Sequence, residues 1–520
     1  MSTEPEISSG SSNTPWLSEV HPAYPRLTKE LAVDVAVIGG GIAGLSIAYQ
    51  LARAGKSVAV VEDGAIGSGE TGRTTAHLAS ALDDRFSRLE QLHGAVGAQL
   101  AYLSHKSAID EIEHIVKDEE IECEFRRLPG YLFSPPGETP ELLDQEFETL
   151  TRLGIRGVRS LERAPIPGFD TGPCLRFADQ GQFHPQKYLI GLAKAVQRHG
   201  GRIFEKSHVD DFVDGKLITV KVKDGGQVTA SSLVVATNAP ILSRVKIPLK
   251  QFAYRTYAVS FELPKGEVPV ALYWDTADPY HYVRTAGKAL IVGGEDHKTG
   301  QPHDEGGMER FLKLAEWTRM RFPMVGEVID RWSGQVMEPA DGLAYIGRYK
   351  NAGENYFIAT GDSGHGMTHG TIAGLLIRDQ ILGRPNPWEK LYDPERTTLR
   401  SIGDVIAENL NVLPQYGKWL TSGDGGSAKD LEPGEGRVFR QGLKKVAVSC
   451  DENGHLCALS AVCPHLGGIV VWNETEKTWD CPCHGSRFSA EGKVLNGPAN
   501  TDLPKARVPS KRPKAKARKS

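Results

Sequence analysis

The chain contains no apolar run approaching the roughly 20 residues that a membrane-crossing helix needs. Its first twenty residues, MSTEPEISSGSSNTPWLSEV, have neither a basic start nor an apolar centre, so they do not read as a secretory signal. Cysteine is scarce: seven among 520 residues, too few and too unevenly placed for a disulfide framework. Net charge is low, −4 overall, so no global field draws the protein toward nucleic acid or an acidic membrane. These absences exclude membrane-spanning, disulfide-stapled and nucleic-acid-coating classes, and predict a cytoplasmic protein.

What is present is unevenly spread. An apolar content of 40% suffices for real cores, and the length has room for two to four domains. Residues 1–30 read as a mobile polar arm. From Lys505 to Ser520 the chain carries eight Lys/Arg and no acid, which reads as a solvated basic tail over 509–520. Three cysteines crowd between Cys463 and Cys483, the pattern of a metal site in a reducing compartment.

Regular structure is expected from Val33, where VDVAVIG has the length and apolarity of a buried strand. A glycine cluster follows, then an Ile/Ala/Leu-rich helix from about Ile42 to Ala54, then the strand SVAVVE at 57–62. Further strand-like runs at 217–223, 232–237, 288–293 and 355–360, with amphipathic stretches at 86–117 and 187–199, predict an α/β fold on a parallel sheet. Residues 396–421 read as a helix broken at Pro414, and SGDGGSAKDLEPGEG reads as a linker, so 396–428 separates two domains. Beyond it, 429–508 shows short β-like runs and tight glycine turns.

Two motifs carry chemistry. Gly39, Gly41 and Gly44 form GxGxxG between a strand and a helix. The first glycine allows the turn, the second lets a pyrophosphate approach the backbone, and the third lets helix and strand pack closely. Free N–H groups at the helix start face the phosphates, and Glu62 is placed for ribose hydroxyls. Cys463-Pro-His465 and Cys481-Pro-Cys483-His484 form C-x-H and C-x2-H, offering two thiolates for one iron and two imidazoles for another. Zinc is the competing occupant, since Cys2His2 also satisfies a tetrahedral site.

The segments VIGGGIAGLSIAYQLARAGKSVAVVE, GSGETGRTTAHL (67–78), LVVATNAP (233–240) and YFIATGDSGHGMTHGTIAG (356–374) resemble, in order, the D-amino-acid oxidase, glycine oxidase and sarcosine oxidase superfamily. That resemblance, over about 30–390, implies a Rossmann-like FAD-binding domain with an interleaved antiparallel substrate-domain sheet. FAD-binding segments are expected near 31–95, 180–245 and 330–390, and substrate-domain segments near 96–179 and 246–329, within a unit at 31–395. It implies FAD, with Gly361, Gly364, His365 and Gly366 close to it, Arg73, Thr74 and His77 on a loop near its ring, and Ala236 on a neighbouring strand. One dinucleotide fingerprint stands here where pyridine-nucleotide-driven flavin reductases carry two, so NAD(P)H is not the expected reductant. Thr74-Thr75-Ala76-His77 is similar to the Ser-Thr-Trp-His segment through which some dimethylglycine and sarcosine dehydrogenases attach FAD covalently, but departs by one residue in its distance from the preceding glycine. Packing near the ring is the favoured role for His77.

CPHLGG, CPCHGSRF and GPANTDLP (497–504) resemble Rieske domains over about 430–508, implying a small all-β domain at the C-terminus with a [2Fe–2S] cluster on Cys463, His465, Cys481 and His484. Two positions depart from the respiratory members. Gly468 stands where they carry a further Cys that pairs with the counterpart of Cys483, so no disulfide is expected. Phe488 stands where a Tyr hydroxyl donates to a cysteine ligand, while Ser486 is kept. Fewer hydrogen bonds to sulfur imply a potential in the lower part of the Rieske range.

In the resembled fold the 250–300 region roofs the flavin. There Tyr254, Tyr257, Trp274, His281, Tyr282, Arg284 and His297 are candidates to surround a small substrate, with His365 beside the ring; Arg284 is the candidate clamp for a carboxylate. The bland alternative is a half-buried sheet face. Oxidation of a C–N bond mainly requires alignment and a neutral amine, so no dedicated base need be visible. The expectation is a dehydrogenase of an amine or amino acid that exchanges electrons with the cluster and an unknown one-electron partner. A redox relay without turnover is the alternative. A Rieske oxygenase, using Asp362, His365 and His369 on iron, is less favoured because that turn is already explained by flavin binding.

Overall fold

In the computed structural model, described residues are 9–17, 19, 22–135, 137, 139–241, 247–301, 307–419, 421 and 423–509. An eight-stranded sheet is ordered Tyr345–Arg348, Tyr356–Thr360, Gln227–Val235, Glu30–Ile38, Val58–Val61, Arg202–Phe204, with the hairpin of Val209–Val213 and Ile218–Val222 on Gln227–Val235. The strands from Tyr356–Thr360 to Arg202–Phe204 run parallel. Val35 and Val37 are buried beneath Leu45, Ala48 and Tyr49 of Ile42–Arg53, while Ala36 and Ile38 are buried on the opposite face among Val209, Val220 and Tyr345. The expected βαβ unit is therefore present, with Phe86–Asp118 and Pro185–Arg198 where the amphipathic pattern placed helices.

A nine-stranded, mostly antiparallel sheet stands against it, in the order Val328–Pro339, Gln251–Glu262, Ala289–Lys298, His281–Ala286, Leu272–Asp275, Arg126–Phe133, Cys174–Gln182, His77–Leu78, with Val158–Leu161 on Cys174–Gln182. Val328–Pro339 pairs along the length of Gln251–Glu262, so this strand belongs to the substrate-side sheet and not to the flavin-side segment expected from 330.

Helix Ile402–Tyr416, with Pro414 inside it, leads to a C-terminal all-β unit: a three-stranded sheet (Gly436–Gln441, Lys444–Cys450, Leu456–Ser460) and a four-stranded sheet (Val471–Asn473, Thr478–Asp480, Arg487–Ser489, Val494–Asn496). Val412, Tyr416 and Trp419 pack on the core of this unit.

The expectation of a loose arm over 1–30 is corrected where the chain is described. Ser9, Thr14 and Trp16 are buried. Arg487 donates to Ser9 O at 2.7 Å, Thr14 Oγ1 donates to Gly72 O at 2.8 Å, and Trp16 Nε1 donates to Thr74 O at 2.7 Å. A polar composition does not keep a segment in solvent when its hydroxyls and carbonyls meet buried partners. Residues 1–8 and the tail beyond 509 lie outside the described residues.

Candidate functional site

One cavity of about 310 Å³ runs from the glycine turn to the underside of the substrate-side sheet. Its lining includes Gly39, Gly41, Glu62, Arg73, Thr74, His77, Ala236, Tyr282, Gly364, His365 and Gly366, residues far apart in the sequence that the fold brings together. Gly44 lies behind the lining, and its place is steric: a Cβ there would sit 1.9 Å from the Gly39 carbonyl oxygen. Gly39 has φ +106°, and a Cβ on it would meet Ala236 O at 2.4 Å. Helix Ile42–Arg53 starts from Gly41 at the cavity wall, where Thr71 Oγ1 accepts from Ile42 N at 3.1 Å. Glu62 accepts from Gly40 N at 2.5 Å and Gly64 N at 2.8 Å; burial pushes its carboxyl up to about 7 in spite of these bonds. A narrow turn, a helix start and a half-buried acid along one continuous cavity fit an extended dinucleotide such as FAD.

At the far end His77, Ala79, Ala81, Asp83, Thr256, Trp274, Tyr280, Tyr282, Gln335 and His365 enclose the space. His77 Nδ1 meets Thr75 Oγ1 at 3.0 Å, and its ring packs edge-on against Tyr282. Burial and Arg284 pull its pKa down to about 3, so the imidazole is neutral. Asp83 Oδ2 accepts from Tyr280 OH at 3.1 Å and lies 3.4 Å from His365 Nε2. Burial opposes its charge, yet His365, Arg85 and Tyr280 hold the carboxyl below its ordinary value.

Strand alternation decides which roof candidates reach the cavity. Tyr282 and Trp274 do. His281 points to the opposite face, Nδ1 3.0 Å from Asp275 Oδ2 and its ring stacked on Trp317 at 4.4 Å. Arg284 is not free as a carboxylate clamp: its Nη1 donates to the carbonyls of Thr75, Ala76 and Phe183, and the side chain frames the 67–78 loop. Tyr254, Tyr257 and His297 likewise lie outside the lining, and Tyr257 OH meets His297 Nε2 at 3.0 Å. Asp362, His365 and His369 do not form a mononuclear iron site. Asp362 Oδ1 accepts from Met337 N at 3.0 Å, and His369 is held between Asp362 O at 2.8 Å and His105 Nε2 at 3.2 Å.

The second centre lies in the C-terminal unit. Two loops carry Cys463/His465 and Cys481/His484, closed by Cys463 N to Gly468 O at 2.8 Å and Cys481 N to Ser486 O at 2.8 Å. The two imidazoles stand edge to face, 5.0 Å between centroids. His484 Nδ1 is buried with no protein partner, an orphaned atom that a metal would satisfy. Among the described residues no three His, Cys, Asp or Glu side chains converge on one metal position. Two thiolates and two imidazoles on paired loops fit a cluster whose two irons each take two protein ligands. Gly468 leaves room for sulfur: a Cβ there would lie 2.6 Å from Cys483 Sγ and 3.1 Å from Cys481 Sγ. Cys483 is a free thiol. Trp419 Nε1 donates to Gly467 O at 3.0 Å and Tyr416 OH to Leu466 O at 2.9 Å, so the linker helix braces the first loop.

The two centres share a wall. Val494, Leu495, Asn496, Gly497 and Asn500 of the C-terminal unit line the flavin-side cavity, a contribution no local sequence pattern signals. Gln335, another lining residue, donates through Nε2 to Gly485 O at 3.0 Å, beside the ligand His484. Across the junction Glu476 faces Arg73 at 3.2 Å and Arg255 at 3.4 Å, all three buried. Arg487 pairs with Asp480 at 3.1 Å, and Asn496 donates to Glu70 at 3.1 Å.

Among the described residues no helix is long and apolar enough to cross a membrane. Residues 34–380 match the family described as FAD dependent oxidoreductase, and residues 424–507 match the Rieske [2Fe-2S] domain. The chain is 31% identical over 486 residues to the Rieske 2Fe-2S iron-sulfur protein YhfW of Bacillus subtilis, covering 92% of this chain and 94% of that one. It is 28% identical over 380 residues to gamma-glutamylputrescine oxidoreductase of Escherichia coli, 69% of this chain and 86% of that one. In fold it is similar to glycine oxidase from Geobacillus kaustophilus, with a TM-score of 0.60 at 20% identity, over 71% of this chain and 99% of that one. A glycine turn, a half-buried acid and a roofed cavity on one side, and a Cys2His2 pair of loops on the other, are thus the parts of one architecture: the chain belongs to the FAD dependent oxidoreductase family and carries a C-terminal Rieske [2Fe-2S] domain.

Proposed function

We propose that the protein is a dehydrogenase of CH–NH or CH–NH2 donors whose electrons pass between FAD and the Rieske cluster. The observation that carries this is the shared wall: Val494 to Gly497 of the cluster domain line the cavity in which Gly39, Glu62 and His365 would hold the flavin. When bound, FAD supplies a two-electron acceptor and the cluster a one-electron centre. A donor that gives up a hydride equivalent and one proton leaves as an imine. The chain's part is to hold the donor under the roof of Trp274, Tyr280 and Tyr282 and exclude water, with His77 made too weak a base by burial and Arg284 to take the donor's proton. The names of the relatives, a glycine oxidase and an oxidoreductase of gamma-glutamylputrescine, support a nitrogenous donor. Half-exposed His465 and exposed Leu466 give an external one-electron partner an approach to the cluster. Seven unpaired cysteines suit a reducing, cytoplasmic setting.

The test is an anaerobic titration followed by absorbance and EPR. A donor from a panel of amines and amino acids should bleach the flavin and then bring up a reduced Rieske signal. If dithionite reduces both centres while no small molecule reduces either, the relay reading takes its place.

A further inference from the structure

The geometry points to a cationic amine, a diamine or polyamine lacking a carboxylate at the oxidised carbon, as the substrate class. This rests on the C–N dehydrogenase reading above and narrows it.

A carboxylate entering the far end of the cavity finds no free guanidinium or ammonium. Among the described lining residues the sole Arg or Lys is Arg73, and its Nη1 is spent on Ser12, Ser333 O and Glu476. Arg284, the nearest alternative along the roof, is occupied by three backbone carbonyls. Desolvation opposes bringing an unpaired carboxylate into such a space.

An ammonium finds the opposite. Asp83 lines this end, and Tyr280 and His365 support its ionised form. Trp274, Tyr280 and Tyr282 offer aromatic faces, which attract cations through the ring quadrupole. Behind the tyrosines stands Asp296. The strand register pairs Arg255 with His297 and Tyr257 with Gly294, so the irregularity between them sets Asp296 beside Thr256, which lines the cavity and bonds Tyr282 OH at 2.9 Å. Asp296 Oδ1 is fully buried and has no hydrogen-bond partner within the protein. Thr256 bonds the same carboxyl, while burial raises it to about 7, so a cationic ligand beside it would favour its ionised form. Asp83 and three aromatic residues lining one end of the cavity, with the Asp296 carboxyl behind Thr256, form a receptor for a protonated nitrogen, separate from the neutral nitrogen being oxidised.

Two measurements on the full-length, flavin-loaded protein decide it. Calorimetry should detect binding of butyltrimethylammonium, whose nitrogen has no lone pair to give, and no binding of butyrate. Anaerobic flavin reduction should be faster with butane-1,4-diamine than with butylamine, and glycine and L-proline should be inert. Asp83→Asn should raise KM for the diamine at least tenfold while moving the butylamine KM little, a split that general misfolding cannot produce. Butyrate binding, or flavin reduction by an amino acid and not by the diamine, would overturn the cationic class while leaving the C–N dehydrogenase reading intact. If no amine and no amino acid reduces the flavin, and the ammonium probe does not bind, both fall.

Discussion

Glu476 of the cluster domain and Arg73 of the flavin domain form an ion pair at 3.2 Å with both side chains almost wholly buried. Arg255 shares the same carboxylate at 3.4 Å. Removing Glu476 would strand two buried guanidiniums, so Glu476→Ala should cost ~3–5 kcal/mol of stability, measured by chemical denaturation. The pH dependence has a definite sign. Burial would raise the Glu476 carboxyl, but Arg73, Arg255 and Arg487 outweigh it and hold the folded-state value far below the ordinary one. The pair's contribution is therefore complete above the unfolded value of about 4.3 and fades as the pH falls below it. Glu476→Gln should flatten the acid limb of the stability profile.

Gln335 touches both halves, lining the flavin cavity and donating to Gly485 O next to His484. Gln335→Ala should slow reduction of the cluster severalfold relative to flavin bleaching in anaerobic stopped-flow. Equal slowing of both phases, or of neither, would remove this residue from the route between centres.

His77 has both ring nitrogens engaged, Nδ1 with Thr75 Oγ1 at 3.0 Å and Nε2 with Val283 O at 3.4 Å. FAD is accordingly expected to be held without a covalent bond and to appear in the supernatant after acid precipitation. A yellow pellet that turns colourless in His77→Ala would reverse that expectation.

Phe488 is fully buried in the core around the cluster loops, while Ser486 Oγ accepts from Ala499 N at 3.0 Å. With no phenol at 488 to donate to sulfur, the potential should fall at roughly −150 to +100 mV. Phe488→Tyr should raise it and Ser486→Ala should lower it, because hydrogen bonds to sulfur favour the more negative reduced cluster. EPR-monitored redox titration reads both shifts; a wild-type value near +300 mV would sink the argument.

Much of this was legible in the sequence, for identifiable reasons. The glycine turn and Glu62 are short-range features whose spacing is itself the mechanism, and the two cluster loops are equally local. The roof was half legible. Alternation separates Tyr282 from His281 but does not say which of them looks inward, and Arg284 shares a face with Tyr282 yet is consumed by the carbonyls of the neighbouring loop. Asp83, Gln335 and Asn496 were invisible because their roles come from contacts between segments hundreds of residues apart. The same holds for Ser9 and Trp16, whose surroundings make a polar leader part of the core.

Residues 494–497 are delivered by one domain and spent on the cavity of the other. The protein is consequently a fusion in its gene order without being modular in its chemistry. Grafting a foreign Rieske domain behind the linker would supply an iron–sulfur centre but leave a breach in the flavin chamber, unless the graft also brought counterparts of Glu476, Arg487 and Asn496.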